Sequence, residues 1–244
     1  MVEVFDDLAA EEDAIEATLA GLTDEQWQAG SGAPGWRIAD VVLHLAQSED
    51  AVLGSVEGRL SAGNWQEFGD SVDAAMAALV AADDSSPAQI FEHWRTARRS
   101  ALAALRTADP GTPLTWVATQ LKPRTLATTR LAEHWAHALD ITGPLGIPYP
   151  DTDRLRHIAW LGHSTLPYAL SLVGQEPVDV YVSLRGPGGD TWTYGHPDAP
   201  SSIRGEAGAF CRVGARRLAP ELSGLTTTGP FGDVALRALR NYAS

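Results

Sequence analysis

The chain has 244 residues, 44% of them hydrophobic and 20% charged, enough apolar material for one large domain or two small ones. With 31 acidic against 18 basic residues the formal charge is −13, so no basic stripe exists to neutralise nucleic-acid phosphates or to hold an anionic membrane surface. The apolar runs fall short of the roughly 20 residues a spanning helix needs, the N-terminal segment is acidic where a secretory signal is basic, and the lone Cys211 excludes an internal disulfide framework. These features point to a soluble, cytoplasmic protein with no nucleic-acid or membrane partner.

The first 142 residues read as helices. Val4, Leu8, Ile15, Leu19 and Leu22 recur at helical spacing with acids between them, an amphipathic pattern. Thr23-Asp24-Glu25-Gln26 has capping-box spacing and opens a short turn before Trp27. After a Gly/Pro loop at Gly30–Gly35, a second long helix is expected from about Arg37 to Leu60, with Ile38, Val41, Val42, Leu45 and Val52 on its core face. An irregular stretch over 61–72 leads into an Ala-rich segment ending near Ala82. Ser86-Pro87-Ala88-Gln89 joins an N-cap serine, a first-turn proline and a glutamine at the third position, and starts a helix running to about Leu105. A last long helix runs from about Pro123 to the residue before Gly143-Pro144. No strand signal interrupts these four long helices, which makes an antiparallel four-helix bundle the expected architecture.

The pattern changes after Gly143, where the proline- and glycine-rich residues 143–153 read as a hinge or linker, and the expected division is 1–150 for the bundle and 151–244 for a second domain. A helix is expected from about Arg154 to Leu172. Val178, Val180, Val182 and Leu184 then alternate with polar residues, the period of a half-buried strand. Arg185–Asp190 reads as its turn and Thr191–Tyr194 as its return strand. A short strand near Ser202–Gly205 and a helix from about Ala207 to Leu218 complete an α+β segment.

The fourth bundle helix carries Glu133, His134, His137 and Asp140. Glu133 and His137 lie about 40° apart on one helix face, one turn from each other, a spacing that lets two side chains grip one metal ion. His134 and His137 form a second such pair, and spacing alone leaves both open. His44 stands in the apolar part of the second helix beside Val41 and Leu45, where a buried imidazole needs a partner. Asp40, one turn earlier, is the expected acceptor for one ring nitrogen, leaving the other for a metal. Were the two helices to face each other, His44, Glu133 and His137 would supply three ligands and leave a position open, the catalytic arrangement. The bland alternative is a core histidine satisfied by Asp40.

Gly35-Trp36-Arg37-Ile38-Ala39-Asp40-Val41-Val42-Leu43-His44 and Glu133-His134-Trp135-Ala136-His137-Ala138-Leu139-Asp140 resemble the mycothiol-dependent maleylpyruvate isomerase family of the DinB-like metalloprotein superfamily. Pro187–Trp192 and Ile203–Ala207 resemble, less specifically, that family's small sterol-carrier-like second domain. The resemblance implies a mainly α fold, a DinB-like four-helix bundle followed by a small α+β domain. It implies His44, Glu133 and His137 as ligands of a divalent metal, most often Zn²⁺. Asp140 then stands behind the ligands, and His134 points elsewhere.

The implied activity is that of a metal-dependent isomerase or thiol S-transferase that activates a thiol or water against a small electrophile, with mycothiol as thiol cosubstrate. Arg216 loosely matches a family arginine and is a candidate substrate anchor, with Arg124 and Arg130 as alternatives and a solvated helix face as the plain reading of Arg216 and Arg217. The competing functions are a pathway-specific enzyme of secondary metabolism that has abandoned the thiol and a non-catalytic metal- and ligand-binding module. Trp36, Trp116 and Trp135 are expected either to line the metal pocket or to be plain core. Cys211 is expected to be inert packing, and His93, His157, His163 and His196 match no ligand spacing.

Overall fold

The structure, a computed structural model, describes residues 3–60, 64–117 and 119–241; residues 61–63 of the expected irregular stretch lie outside them. The chain folds as two units, Met1–Tyr149 and Pro150–Ala243.

Four long helices build the first unit: α1 (Val4–Leu19), α3 (Ile38–Val56), α5 (Pro87–Thr107) and α6 (Pro123–Thr142), with the short α2 (Asp24–Gln28) and α4 (Val72–Ala81) between them. Their starts follow the local chemistry. Thr23 and Ser86 form the expected capping boxes with Gln26 and Gln89, and Pro87 and Pro123 open α5 and α6, where a missing N–H costs nothing. Helix α3 packs along α5, α1 along α6, and α3 also meets α6. Leu8, Ile15 and Leu19 of α1, Ile38, Val41, Val42 and Leu45 of α3, and Trp94 of α5 are all at most 2% exposed. Each such side chain contributes about 1.5–3 kcal/mol by leaving water.

Helix α3 ends at Val56, short of the expected Leu60, and the expectation of a strand-free first unit fails. A hairpin, β1 (Leu114–Trp116) and β2 (Thr119–Leu121), stands between α5 and α6, pairing Leu114 with Leu121. Its turn carries Val117 at φ 49°, an uncommon backbone state for a β-branched residue. Three-residue strands are too short to show alternation, so the sequence carries no strand signal there.

The second unit contains α7 (Leu155–Ser164), α8 (Leu166–Ser171), a four-stranded sheet, α9 (Ala207–Gly214) and α10 (Gly232–Ala238). The sheet has β3 (Val180–Arg185), β4 (Thr191–Tyr194), β5 (Ser201–Glu206) and β6 (Thr226–Thr228) in the order β4-β3-β5-β6. The expected hairpin is β3–β4, with Val182 opposite Tyr194, while β5 joins β3 in parallel and β6 closes the other edge antiparallel. The single helix expected over 154–172 is broken at Thr165, where Pro167 cannot supply an N–H to continue the ladder. Helix α9 ends four residues early because Arg216 turns into the left-handed region (φ 61°) and Arg217 N–H bonds back to the Arg212 carbonyl at 2.8 Å, a Schellman-type stop. The fold is therefore mainly helical, a four-helix bundle followed by a small α+β unit.

Candidate metal centre

His44 comes from α3, and Glu133 and His137 come from successive turns of α6. Glu133 Oε1 lies 3.1 Å from His44 Nε2 and 3.2 Å from His137 Nε2. The two imidazoles sit nearly edge-on, centroids 5.1 Å apart at 74°. All three donor atoms fall within 4.8 Å of one another. Bonds of about 2.0–2.2 Å in tetrahedral geometry place ligand atoms about 3.4 Å apart, so the donors stand at the separation a small divalent cation requires. Two imidazole nitrogens and one carboxylate oxygen are also a donor set that suits zinc, iron or nickel. The residues present fit a metal.

Behind His137, the Nδ1 N–H donates to Asp140 Oδ2 at 2.9 Å, and Asp140 is only 2% exposed. This bond turns Nε2 toward Glu133 and leaves it as the nitrogen free to ligate once deprotonated. Burial pulls the His137 imidazole down, but the Asp140 and Glu133 carboxylates outweigh it and hold the group up at about 9. Burial likewise pushes Glu133 up, and the two histidines beside it reverse the sign, keeping it well below the usual carboxylate range. Burial lowers His44, against the pull of Glu133. The Glu133 carboxylate lies within hydrogen-bond distance of both Nε2 atoms, and metal binding at such a site releases the protons its ligands carry.

Asp40 does not serve His44. Its carboxylate caps α3, accepting the Arg37 backbone N–H at 2.8 Å and the Arg37 guanidinium at 2.6 and 3.0 Å. An acid at the third position of a helix satisfies the nearer orphan N–H first, and the Arg37 guanidinium completes the pairing. His44 Nδ1 is buried without a hydrogen-bond partner, and the Trp36 ring packs against the imidazole, centroids 5.2 Å apart.

His134 is turned away from the centre. Its Nδ1–H donates to the Arg130 carbonyl at 3.0 Å, and its Nε2 accepts from Trp94 Nε1–H at 3.2 Å. Burial and the nearby Arg130 charge lower it to about 3, so it is neutral. With one nitrogen protonated and the other occupied, it offers no lone pair to a metal. The pair His134/His137 is thereby set aside in favour of Glu133/His137.

A second convergence of potential ligands carries no sequence signature. Glu12, Glu49 and His134 also bring donor atoms within 4.8 Å, all in the bundle core. The amphipathic pattern of α1 implied that its acids face water, yet Glu11 and Glu12 are at most 1% exposed. The signal that could have found them is the pairing of buried acids with buried arginines on other helices, which helical periodicity cannot show. Arg130 Nε donates to Glu49 Oε1 at 2.7 Å, and Arg98 Nη1 stands 3.5 Å from Glu12 while also pairing with Glu16 and Asp13. Burial first, then the Glu49 charge, raises Glu12 well above the usual range. Arg98 and Arg130 stand beside these acids and both nitrogens of His134 are hydrogen-bonded, so the cluster is a buried network of acids and arginines in which the Glu12 oxygens lack a hydrogen bond.

The candidate anchors are placed as follows. Arg130 is 3% exposed, held by Glu49, with its guanidinium 5.6 Å over the Trp116 ring. Arg124 is exposed and pairs with Glu3. Arg216 lies in the second unit, exposed, at the turn after α9. Of the three tryptophans, Trp36 touches a candidate ligand, Trp116 covers Arg130, and Trp135 is buried core. Cys211 is fully buried, its thiol pushed far up by burial and by Asp151. His93 pairs with Asp50 at 2.6 Å and His163 donates to the Val180 carbonyl at 3.1 Å.

Fold and site together define a helical bundle whose third and sixth helices present a two-histidine, one-carboxylate constellation. The model of the mycothiol maleylpyruvate isomerase N-terminal domain family matches residues 8–142, and the chain belongs to that family. Two curated relatives from Mycobacterium tuberculosis, one from strain ATCC 25618 / H37Rv and one from strain CDC 1551 / Oshkosh, are each 35% identical over 223 residues, spanning 87% of this chain and 84% of theirs. Both are named as uncharacterized proteins. The crystal structure of a mycothiol-dependent maleylpyruvate isomerase and that of its histidine-to-alanine mutant each superpose with a TM-score of 0.61, at 14% and 13% identity, covering 93% of this chain and 96% of theirs. At that identity the match shows the fold. Among the described residues no helix is long and apolar enough to cross a membrane.

Proposed function

We propose that this chain is a metal-dependent enzyme that uses mycothiol, or a related low-molecular-weight thiol, on a small electrophilic substrate as an isomerase or S-transferase. The observation that carries the reading is the convergence of His44, Glu133 and His137 with the Asp140 carboxylate behind His137. Three ligands leave a coordination position for an incoming group, the feature that separates catalytic from structural sites. A bound divalent ion, proposed as zinc, would supply the acidity that turns a thiol or water into a nucleophile at neutral pH.

The chain's own residues do the rest. Glu133 would offset the charge of a bound cation, and Asp140 holds His137 by Nδ1 with Nε2 on the side of Glu133. His44 is nine-tenths buried, with the Trp36 ring packed against it. Because Cys211 is buried in the second unit with a thiol that resists ionisation, the nucleophilic sulfur has to arrive as a cosubstrate. Arg130 is engaged by Glu49, and the exposed Arg216 and Arg124 stay as candidate anchors for an anionic substrate.

The test is elemental analysis of protein purified without a histidine tag, for wild type and His137→Ala, followed by turnover assays with and without mycothiol. About one zinc per chain, lost in the variant, with thiol-dependent turnover of an activated alkene or other electrophile, is the expected result. A metal-free wild type that also refuses added zinc would overturn the metalloenzyme reading. Turnover that is indifferent to thiol would move the function to water activation.

A further inference from the structure

The eight residues Gly30–Arg37 join α2 to α3 and supply no ligand, yet they touch the supports of both histidines. The loop is tied to itself. Ser31 N–H and Ser31 Oγ–H both donate to the Trp36 carbonyl at 2.9 Å, Ser31 Oγ accepts the Ala33 N–H at 3.1 Å, and Trp36 N–H donates to the Ala33 carbonyl at 3.1 Å. Its ends are held by a bridge between Gly30 and Arg37 and by Ile38 N–H to the Ala29 carbonyl at 2.9 Å, with Gly35 at φ 82° making the turn.

From this clasp two residues reach the candidate centre. Gly32 N–H donates to the backbone carbonyl of Asp140 at 2.8 Å. That carbonyl belongs to the last turn of α6, where no intrahelical donor remains. A Cβ on residue 32 would stand 3.0 Å from both Asp140 Cα and Asp140 Oδ1, closer than ordinary van der Waals contact. Only glycine lets the loop lie on Asp140 without moving the carboxylate that accepts from His137 Nδ1. At the other end of the loop, Trp36 sets its ring against His44, whose Nδ1 has no hydrogen bond to orient it. The imidazole is therefore aimed by ring packing and by Glu133 alone.

We propose that the Gly30–Arg37 loop is the positioning element of the metal centre, Gly32 setting the Asp140 carboxylate that aims His137 and Trp36 setting the ring of His44. The inference rests on the metal reading above and adds that affinity and coordination geometry are controlled from a loop without a ligand. Gly32, Ser31 and Trp36 are positioning residues. Supporting groups that orient a ligating histidine are worth about 10–100-fold in metal affinity, which sets the size of the expected effect.

The experiment is titration of apo-protein with Co²⁺, reading the visible d–d spectrum and the Kd against a competing chelator. Wild type, Asp140→Asn, Gly32→Ala and Ser31→Ala are compared, with far-UV circular dichroism and melting of each apo-protein as the control for folding. Gly32→Ala and Asp140→Asn are expected to weaken Co²⁺ by about 10–100-fold and to shift the d–d bands, with helicity kept. In the double variant the two losses are expected to be strongly non-additive, because one acts through the other. Ser31→Ala loosens the clasp without adding bulk and is expected to change the spectrum in the same sense, so it decides the matter should Gly32→Ala not fold. Wild-type affinity within twofold and an unchanged spectrum in Gly32→Ala, or in Ser31→Ala where that variant decides, would overturn the positioning role while leaving the metal site standing. Wild type that binds no Co²⁺ would overturn the metal reading and this inference with it.

Discussion

Replacing Arg130 by Met tests whether that cation is structural or available to a substrate. The Arg130 and Glu49 side chains are 4% and 1% exposed, and Nε donates to Oε1 at 2.7 Å. With the charge centres about 4 Å apart and an effective dielectric of about 20, their attraction is about 4 kcal/mol. Removing one partner of such a pair strands the other in the core, which costs about 3–5 kcal/mol. Met keeps most of the apolar contact with Trp116, so the loss reports mainly on charge. For a domain of this size the melting temperature should fall by roughly 10 °C. Removing both charges, as in Glu49→Leu/Arg130→Met, should restore most of the stability, because no stranded ion remains. Urea unfolding of the four proteins of this cycle measures the coupling, expected at about 2 kcal/mol or more. A loss below about 1 kcal/mol for Arg130→Met, or a double variant no more stable than the single ones, would refute the reasoning. Arg130 would then be free to serve as an anion anchor.

Glu12→Gln addresses the same network through pH. Burial and the Glu49 charge raise Glu12 in the folded state, so the native protein holds this proton more tightly than the unfolded chain does. Its contribution is fully present below the unfolded carboxyl value near 4.5 and is lost as pH rises through the folded value. Between the unfolded value and the higher folded value, stability of wild type should therefore decline with pH more steeply than stability of Glu12→Gln; matching slopes in urea titrations would rule the effect out. Cys211 should resist a thiol reagent such as dithionitrobenzoate in the native state and react only after unfolding, given its complete burial; rapid native-state labelling would contradict this. Ser86→Ala removes the cap that accepts the Gln89 N–H and the reciprocal box with Gln89, and should cost about 1 kcal/mol by thermal or urea unfolding. His44→Ala should abolish stoichiometric zinc binding while keeping helicity, and full zinc occupancy in that variant would remove His44 from the ligand set.

Much of the bundle was readable from local chemistry. Caps at Thr23 and Ser86, prolines at the first turns of α5 and α6, and apolar residues at helical spacing act over a few residues, so they declare themselves in sequence. The same holds for the one-turn spacing of Glu133 and His137, and for the alternation that marks β3. The motif resemblance then selected Glu133 over His134 as the partner of His137, a choice periodicity left open. What tertiary structure alone decided is which side chains meet across helices. Asp40 and Asp140 are alike as sequence features, yet the first is taken by Arg37 and the second by His137. Glu12 and Glu49 look like solvent-facing acids until Arg98 and Arg130 arrive from other helices to share their burial. The parallel place of β5 beside β3 likewise depends on contacts distant in the chain. A helix's period specifies which of its residues share a face, and only packing specifies what that face meets.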